Sequence, residues 1–399
     1  MEYELARRMD TVKPSAVGEL LALGSDPSIT SFAGGYPDAT QFPAAALAAV
    51  YSDAILRSGA QSLQYAASNG SETLRGQIAG LLRADGMDCG ADDVLILQGS
   101  QQGLDLTAKM LVNPGDVIIT EDPTFLGALI AFNPCQPSYV AVEMDGEGMR
   151  MDQLEAALSA NPNTKMIYTV PDFQNPTGVT LSLERRHRLL DLARRFDVMV
   201  LEDTPYRHIR FTGTSLPTLR SLDSDGRVIH LGSFSKILAP AMRLGWATGS
   251  RAMIDQLGLL KVAADTQTST LNMAAASLYL ERYDLAAHIR ELQANYRRKK
   301  NVMLDAIRRY LPQDITCTDP EGGLFTWLTF PEGFDAEAFM RSHALPKARV
   351  AYVPGGSFFP VTPRENYARI NYSAQPDAKI REGIKALGDQ LKAFRAENG

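Results

Sequence analysis

The sequence predicts an α/β protein built on a mostly parallel sheet, and three observations predict it. Short β-rich runs alternate with helical patterns along most of the 399 residues, the signature of βα units. Val94-Leu95-Ile96-Leu97 is apolar throughout, as a strand buried on both faces must be. Each β-rich run ends in a polar or glycine-rich loop, and in open α/β sheets ligands bind at those strand ends.

The elements follow in order. After the strand Val94–Leu97 come Gly99-Ser100-Gln101-Gln102-Gly103 and a helical stretch from Leu104 to Val112. Asn113-Pro114-Gly115-Asp116 is a turn, and Val117-Ile118-Ile119 is the next strand. Later strands are expected at Met166–Val170, Val198–Leu201 and Val228–Leu231, with helices between them such as Leu183–Arg195. The pattern then changes. Leu285–Tyr310 reads as one long charged helix, followed by β-like runs near Leu324–Phe330 and Ala368–Tyr372. The last helix carries Ile380, Ile384, Leu387, Leu391 and Phe394 as an amphipathic stripe. Residues 46–289 are expected to form a large α/β domain, and residues 1–45 with 290–399 a smaller α+β domain.

Composition narrows the function classes. Apolar residues make up 45% and charged residues 22%, with 40 basic against 46 acidic side chains. A net charge of −6 argues against a nucleic-acid surface, which needs clustered Lys and Arg. The three cysteines, Cys89, Cys135 and Cys317, form no C-x-x-C pair; no disulfide framework and no metal site is expected. Met1–Asp10 lacks the apolar core of a signal peptide, and no apolar run approaches the ~18 residues of a membrane span. A soluble, cytoplasmic protein is the expectation.

Four motifs carry chemistry. Ser233-Phe234-Ser235-Lys236, with Arg243 seven residues on, follows the strand Val228–Leu231. Two hydroxyls and a guanidinium supply donors to a phosphate, and a lysine beside them suits covalent capture of pyridoxal 5'-phosphate (PLP). Taken alone, the motif equally fits a surface lysine beside a serine turn. Asn175-Pro176-Thr177-Gly178 follows Met166–Val170. Asn175 is a neutral donor suited to the 3'-oxygen of a pyridine ring, and an Asn-Pro bond at a strand end can be cis; a plain turn is the alternative. Asp203 follows Val198–Leu201. A carboxylate there favours a protonated ring nitrogen, with Tyr206 placed to donate to the 3'-oxygen, although a strand-end Asp is often only a helix cap. Gly99–Gly103 opens a helix, whose free amides bind phosphate, or is simply a βα turn. Their order points to one cofactor: Asn175 precedes Asp203 by 28 residues, and Asp203 precedes Lys236 by 33.

These motifs, with Phe32-Ala33-Gly34-Gly35, Phe42-Pro43, Leu63-Gln64-Tyr65, Gly70, Leu74-Arg75 and Pro205-Tyr206, resemble the fold-type-I PLP-dependent aminotransferases of class I and II. The likeness is strongest to the branch of kynurenine and 2-aminoadipate aminotransferases and the aminotransferase-like half of MocR regulators. The resemblance implies a large domain with a mostly parallel seven-stranded sheet between helices. It implies that Lys236 bonds the cofactor and moves the substrate proton, that Asp203 pairs with the ring nitrogen, and that Asn175 and Tyr206 bond the ring oxygen. Ser100, Gln101, Ser233, Ser235 and Arg243 would hold the phosphate, with Phe125 stacked on the ring. Arg369 would clamp the substrate carboxylate, helped by Gly35 and Asn175; a planar guanidinium suits that bidentate task. Tyr65 would reach into the neighbouring subunit's site, which implies a homodimer.

Two departures bear on the substrate. Phe125 stands where tyrosine is frequent, so it stacks without offering a hydroxyl. The branch often carries Ser-x-Ile-Arg-Glu near its N-terminus, where this chain reads Ser15-Ala16-Val17-Gly18-Glu19. Gly18 replaces an arginine suited to a distal carboxylate, and Lys13 and Arg8 are the alternative cations nearby in sequence. With Tyr36, Tyr65 and Phe125 expected near the pocket, aromatic or large apolar amino acids are favoured over 2-aminoadipate. The expected activity is ping-pong transfer of an amino group to a 2-oxo acid such as 2-oxoglutarate. A PLP lyase or decarboxylase on the same fold, or a PLP-sensing regulatory domain, are the competing readings. The regulator is disfavoured by the negative charge and by only about 30 residues before Phe32.

Overall fold

The computed structural model describes residues 4–12 and 26–398. Its strands in chain order are β1 (Thr30–Ser31), β2 (Val94–Leu97), β3 (Val117–Asp122), β4 (Ser138–Asp145), β5 (Gly148–Met149), β6 (Thr164–Thr169) and β7 (Met199–Asp203). They continue as β8 (Val228–Ser233), β9 (Gly245–Thr248), β10 (Thr316–Cys317), β11 (Phe325–Thr329), β12 (Val350–Ala351), β13 (Val353–Pro354) and β14 (Tyr367–Asn371). The main sheet runs β2-β9-β8-β7-β6-β3-β4-β5. Strands β8, β7, β6, β3 and β4 are mutually parallel, while β9 is antiparallel to both of its neighbours. The sheet thus has the seven expected strands plus the two-residue β5, which forms a short antiparallel pair with β4.

Alternation along the strands builds two cores, because successive side chains point to opposite faces. Ile118, Met166, Tyr168, Leu201, Ile229 and Leu231 enter the larger core on one face. Val117, Ile119, Ile167, Val200 and Val228 enter the other, against Leu154, Leu189 and Leu192 of the covering helices. Side-chain caps fix several helix starts by satisfying otherwise free amides. Ser182 accepts from Arg185 N at the head of Leu183–Arg195, and Asp284 from Ala287 N at the head of Leu285–Tyr310. Both helices match their expected spans.

A four-stranded antiparallel sheet, β10-β11-β14-β13, carries the later β-like runs. The stripe of the C-terminal helix Asp377–Asn398 buries Ile380, Ile384, Leu387 and Leu391 completely. Strand β1 pairs in parallel with β12, tying the N-terminal segment to the later part of the chain. The expected boundary between residues 289 and 290 falls inside the long helix Leu285–Tyr310. Strands β4 and β9 have no counterpart among the runs expected from sequence. Most of β4 is only half-buried, and β9 is a four-residue run that begins with Gly245, so neither has a strong apolar signal. Among the described residues no helix is long and apolar enough to cross a membrane.

Candidate active site

The C-terminal ends of β6, β7 and β8 open on a cavity of about 430 Å³. Its lining includes Gly35, Ser100, Gln101, Phe125, Asn175, Asp203, Tyr206, Ser233, Ser235, Lys236, Arg243 and Arg369. Twelve of the thirteen residues given a catalytic, cofactor or substrate role from sequence therefore line one cavity.

Strand β8 delivers Lys236. Its Nζ donates to Gly35 O at 2.8 Å. The side chain keeps a face open to the cavity, but protein encloses the amine. That desolvation, with the nearby Arg369 and Arg243 charges, lowers its pKa to about 8. Ser233 Oγ accepts from Ser235 N at 3.1 Å and lies 2.9 Å from Ser235 Oγ, so the two hydroxyls form one corner. Arg243 completes it. Its backbone is left-handed (φ 50°), and its guanidinium passes over Gly99 to donate to Gln98 O at 3.3 Å. A Cβ on Gly99 would stand 2.7 Å from Arg243 Nη2, and Gly99 itself has φ +75°; glycine alone suits both demands. Ser100 begins the helix Ser100–Leu111, so free backbone amides face the same corner.

Strand β7 delivers Asp203, which is 1% exposed. Its Oδ2 accepts from Tyr168 Oη at 3.1 Å, and its Oδ1 is buried with no partner. Burial raises its pKa to about 7 against the opposing influence of Tyr168 and His230. Strand β6 leads to Asn175, whose bond to Pro176 is cis. Gln174 pins this turn, donating to Pro123 O at 2.8 Å and accepting from Thr177 N at 2.9 Å. Asn175 Nδ2 donates to Tyr206 Oη at 3.1 Å, which joins the two groups as one donor pair. Arg369, on β14, donates to Asn175 Oδ1 at 2.9 Å and to Ala33 O at 2.6 Å. It lies over the Phe325 and Phe358 rings, and its buried Nε has no partner. Desolvation lowers its pKa to about 10, so it stays cationic near neutrality.

Tyr65 does not join the cavity of its own chain. It is 81% exposed and lines a separate hollow with Gln64, Gln267 and Thr270. Two further expectations need correction. Tyr36 is 48% exposed and outside the cavity, because its ring folds back over Gly34. Arg8 lies in a distant groove with Lys109 and Cys135, on the short helix Arg7–Thr11, and supplies no charge to the site. Gly18 and Lys13 fall outside the described residues.

Sequence reasoning missed the apolar wall made by Leu126, Ile130 and Phe358. Leu126 and Ile130 share a face of the helix Leu126–Phe132 directly after Phe125, and that i, i+4 spacing was the available signal. Phe358 ends a short helical turn, Gly355–Phe358, far along the chain and carries no local mark. Among the described residues, no group of three or more His, Cys, Asp and Glu side chains is placed to hold a metal ion.

Residues 29–387 match the family Aminotransferase class I and II. The chain is 39% identical to aromatic-amino-acid aminotransferase 1 of Thermococcus litoralis, over 96% of this chain and 92% of that one. It is 34% identical to 2-aminoadipate transaminase of Thermus thermophilus, over 96% of each. Among solved structures, the kynurenine aminotransferase of Pyrococcus horikoshii, crystallised with PMP, superposes with a TM-score of 0.93 at 36% identity. That match covers 98% of this chain and 97% of the other. The protein belongs to the class I and II aminotransferases of fold type I, enzymes that move an amino group from an amino acid to a 2-oxo acid.

Proposed function

We propose that this aminotransferase uses PLP, with Lys236 as its attachment point, and acts on aromatic or large apolar amino acids with 2-oxoglutarate as an acceptor. The convergence of Lys236, Asp203, Asn175 and Arg369 on one cavity carries the reading. Donor chemistry fits the cofactor. The lining holds three cations, Lys236, Arg243 and Arg369, against one carboxylate, Asp203, a balance suited to a phosphate and a substrate carboxylate. The unpartnered Asp203 Oδ1 suits a ring N–H, and the unpartnered Arg369 Nε suits a carboxylate oxygen.

PLP supplies an aldehyde that takes the amino group and a ring that takes up electrons released at the substrate Cα. The chain's residues do the rest. Ser100, Gln101, Ser233, Ser235 and Arg243 hold the phosphate, and Phe125 covers the ring. Asp203 keeps a proton on the ring nitrogen, while Asn175 and Tyr206 donate to the ring oxygen. Arg369 fixes the α-carboxylate, which orients the Cα–H bond toward Lys236. Freed once the substrate's amino group takes its place, the Lys236 amine would remove that proton and hold it for return. An amine with a pKa near 8 is neutral often enough to act near physiological pH. A second copy would supply Tyr65 to the site; the exposure of Leu56, Leu63 and Tyr65 supports a homodimer. A reducing cytoplasm suits the three free cysteines.

The substrate class rests on the wall formed by Leu126, Ile130 and Phe358, with every lining cation already assigned. Such walls discriminate weakly among apolar side chains, so specificity should be broad. A 2-aminoadipate preference is the second reading, favoured by the Thermus thermophilus relative. The test presents purified holoenzyme with phenylalanine, leucine, 2-aminoadipate and glutamate singly, without any oxo acid. The reading expects loss of amino acid and release of an equal amount of oxo acid, fastest with phenylalanine or leucine. A strong preference for 2-aminoadipate would overturn the apolar assignment, and release of CO₂ in place of oxo acid would overturn transamination.

A further inference from the structure

We propose that Tyr168 is a positioning residue for the reaction: its hydroxyl engages Asp203 Oδ2, which favours the ionised carboxylate and leaves only Oδ1 free for the cavity. The inference rests on Asp203 being the partner of a PLP ring nitrogen.

Register places the pair. Tyr168 of β6 lies opposite Leu201 of β7, and Asp203 is two residues beyond Leu201, on the same face. Tyr168 is completely buried, and the edge-to-face contact of its ring with Phe132, centroids 5.4 Å apart, limits where the hydroxyl can go. That hydroxyl spends its proton on Asp203 Oδ2 at 3.1 Å. A carboxylate free on both oxygens could rotate and offer either one. With Oδ2 engaged, Oδ1 is left buried and unpartnered at the cavity wall.

The surroundings explain why this one donor matters. Glu121 on β3 is a second buried carboxylate, and Asp203 helps raise its pKa to about 7, after burial itself. Glu121 is served by Thr169, Val170 and Gln174, so it lends nothing to Asp203. His230 on β8 acts on Asp203 only through space, since its ring contacts are Glu202 and Thr204. Tyr206 is turned toward Asn175, and Lys236 toward Gly35. Tyr168 is thus the hydrogen-bond donor to the Asp203 carboxylate among the described side chains, and burial would otherwise favour its protonated, useless form.

The experiment compares wild type, Tyr168→Phe, Asp203→Asn and the double variant. PLP affinity of the cofactor-free proteins is measured, with the ¹⁵N resonance of bound, ring-labelled PLP. Tyr168→Phe should weaken PLP binding about tenfold and move the ring-nitrogen resonance toward the unprotonated position. In the Asp203→Asn background the same change should cost nothing further, because Tyr168 acts through that carboxylate. Wild-type affinity and resonance in Tyr168→Phe would overturn the inference while leaving the PLP assignment standing, and so would an equal cost in both backgrounds. Failure of wild type to bind PLP would overturn both.

Discussion

The floor and the mouth of the cavity are built differently. At the floor, Asp203, Asn175, Tyr206, Ser233 and Arg369 are all buried, and they come from strands or from turns held by hydrogen bonds to other parts of the chain. At the mouth, Leu126 is half-buried and Ile130 is 46% exposed. Rigid, dry groups suit chemistry, where a misplaced donor is costly. Open, apolar groups suit side-chain selection, where a single methylene counts for only ~1–3 kcal/mol. Changes at the floor should therefore stop the reaction, and changes at the mouth should redirect it.

The sharpest break of this contrast is Lys236→Ala. It should lower kcat at least ~10³-fold while the protein stays folded and still binds PLP, as single-turnover rates and equilibrium binding would report. Arg369→Lys comes next. Lysine keeps the charge but loses the fork, so KM for amino acids should rise about a hundredfold, with a smaller fall in kcat. At the mouth, Ile130→Arg should leave kcat for leucine nearly unchanged and improve kcat/KM for glutamate and 2-aminoadipate about tenfold. Steady-state rates across the substrate panel would show it, and an equal loss on all substrates would erase the distinction between floor and mouth.

The smallest effect is on pH and tests the dryness of the floor. Burial raises both Asp203 and Glu121 to about 7, from ordinary values of 3.8 and 4.5. Between those limits the folded, cofactor-free protein binds protons that the unfolded chain has released. Its stability is therefore greatest at the acid end of the window and declines as pH rises toward 7. Asp203→Asn should remove about half of that decline in denaturant titrations at pH 5 and 7. An unchanged slope would mean that water reaches the carboxylate.

Legibility in the sequence divided along the same line. Strand runs such as Val94–Leu97 and Val228–Leu231, with the polar residues that follow them, carry their own periodicity and punctuation. Lys236, Asp203 and Asn175 could therefore be placed at strand ends, and the helices Leu183–Arg195 and Leu285–Tyr310 were bounded by capping residues that act locally. Tyr168 looked like one more β-former, because its importance depends on the register between β6 and β7. Phe358 meets Arg369 and the cavity only through the packing of a distant helical turn. Tyr36 is expected near the pocket from its place beside Gly35, yet its ring folds back over Gly34.

The amino-acid sequence by itself determined the α/β class, the order of strands and loops, and the side chains that can do the chemistry, because hydrophobic period, caps and turns are encoded within a few residues of where they act. Tertiary structure alone decided which oxygen of Asp203 meets Tyr168, that Arg369 arrives beside Asn175 from 194 residues away, and that Leu126, Ile130 and Phe358 form one apolar wall of the cavity. Those outcomes depend on strand register and long-range packing, which join residues whose local sequences carry no sign of one another.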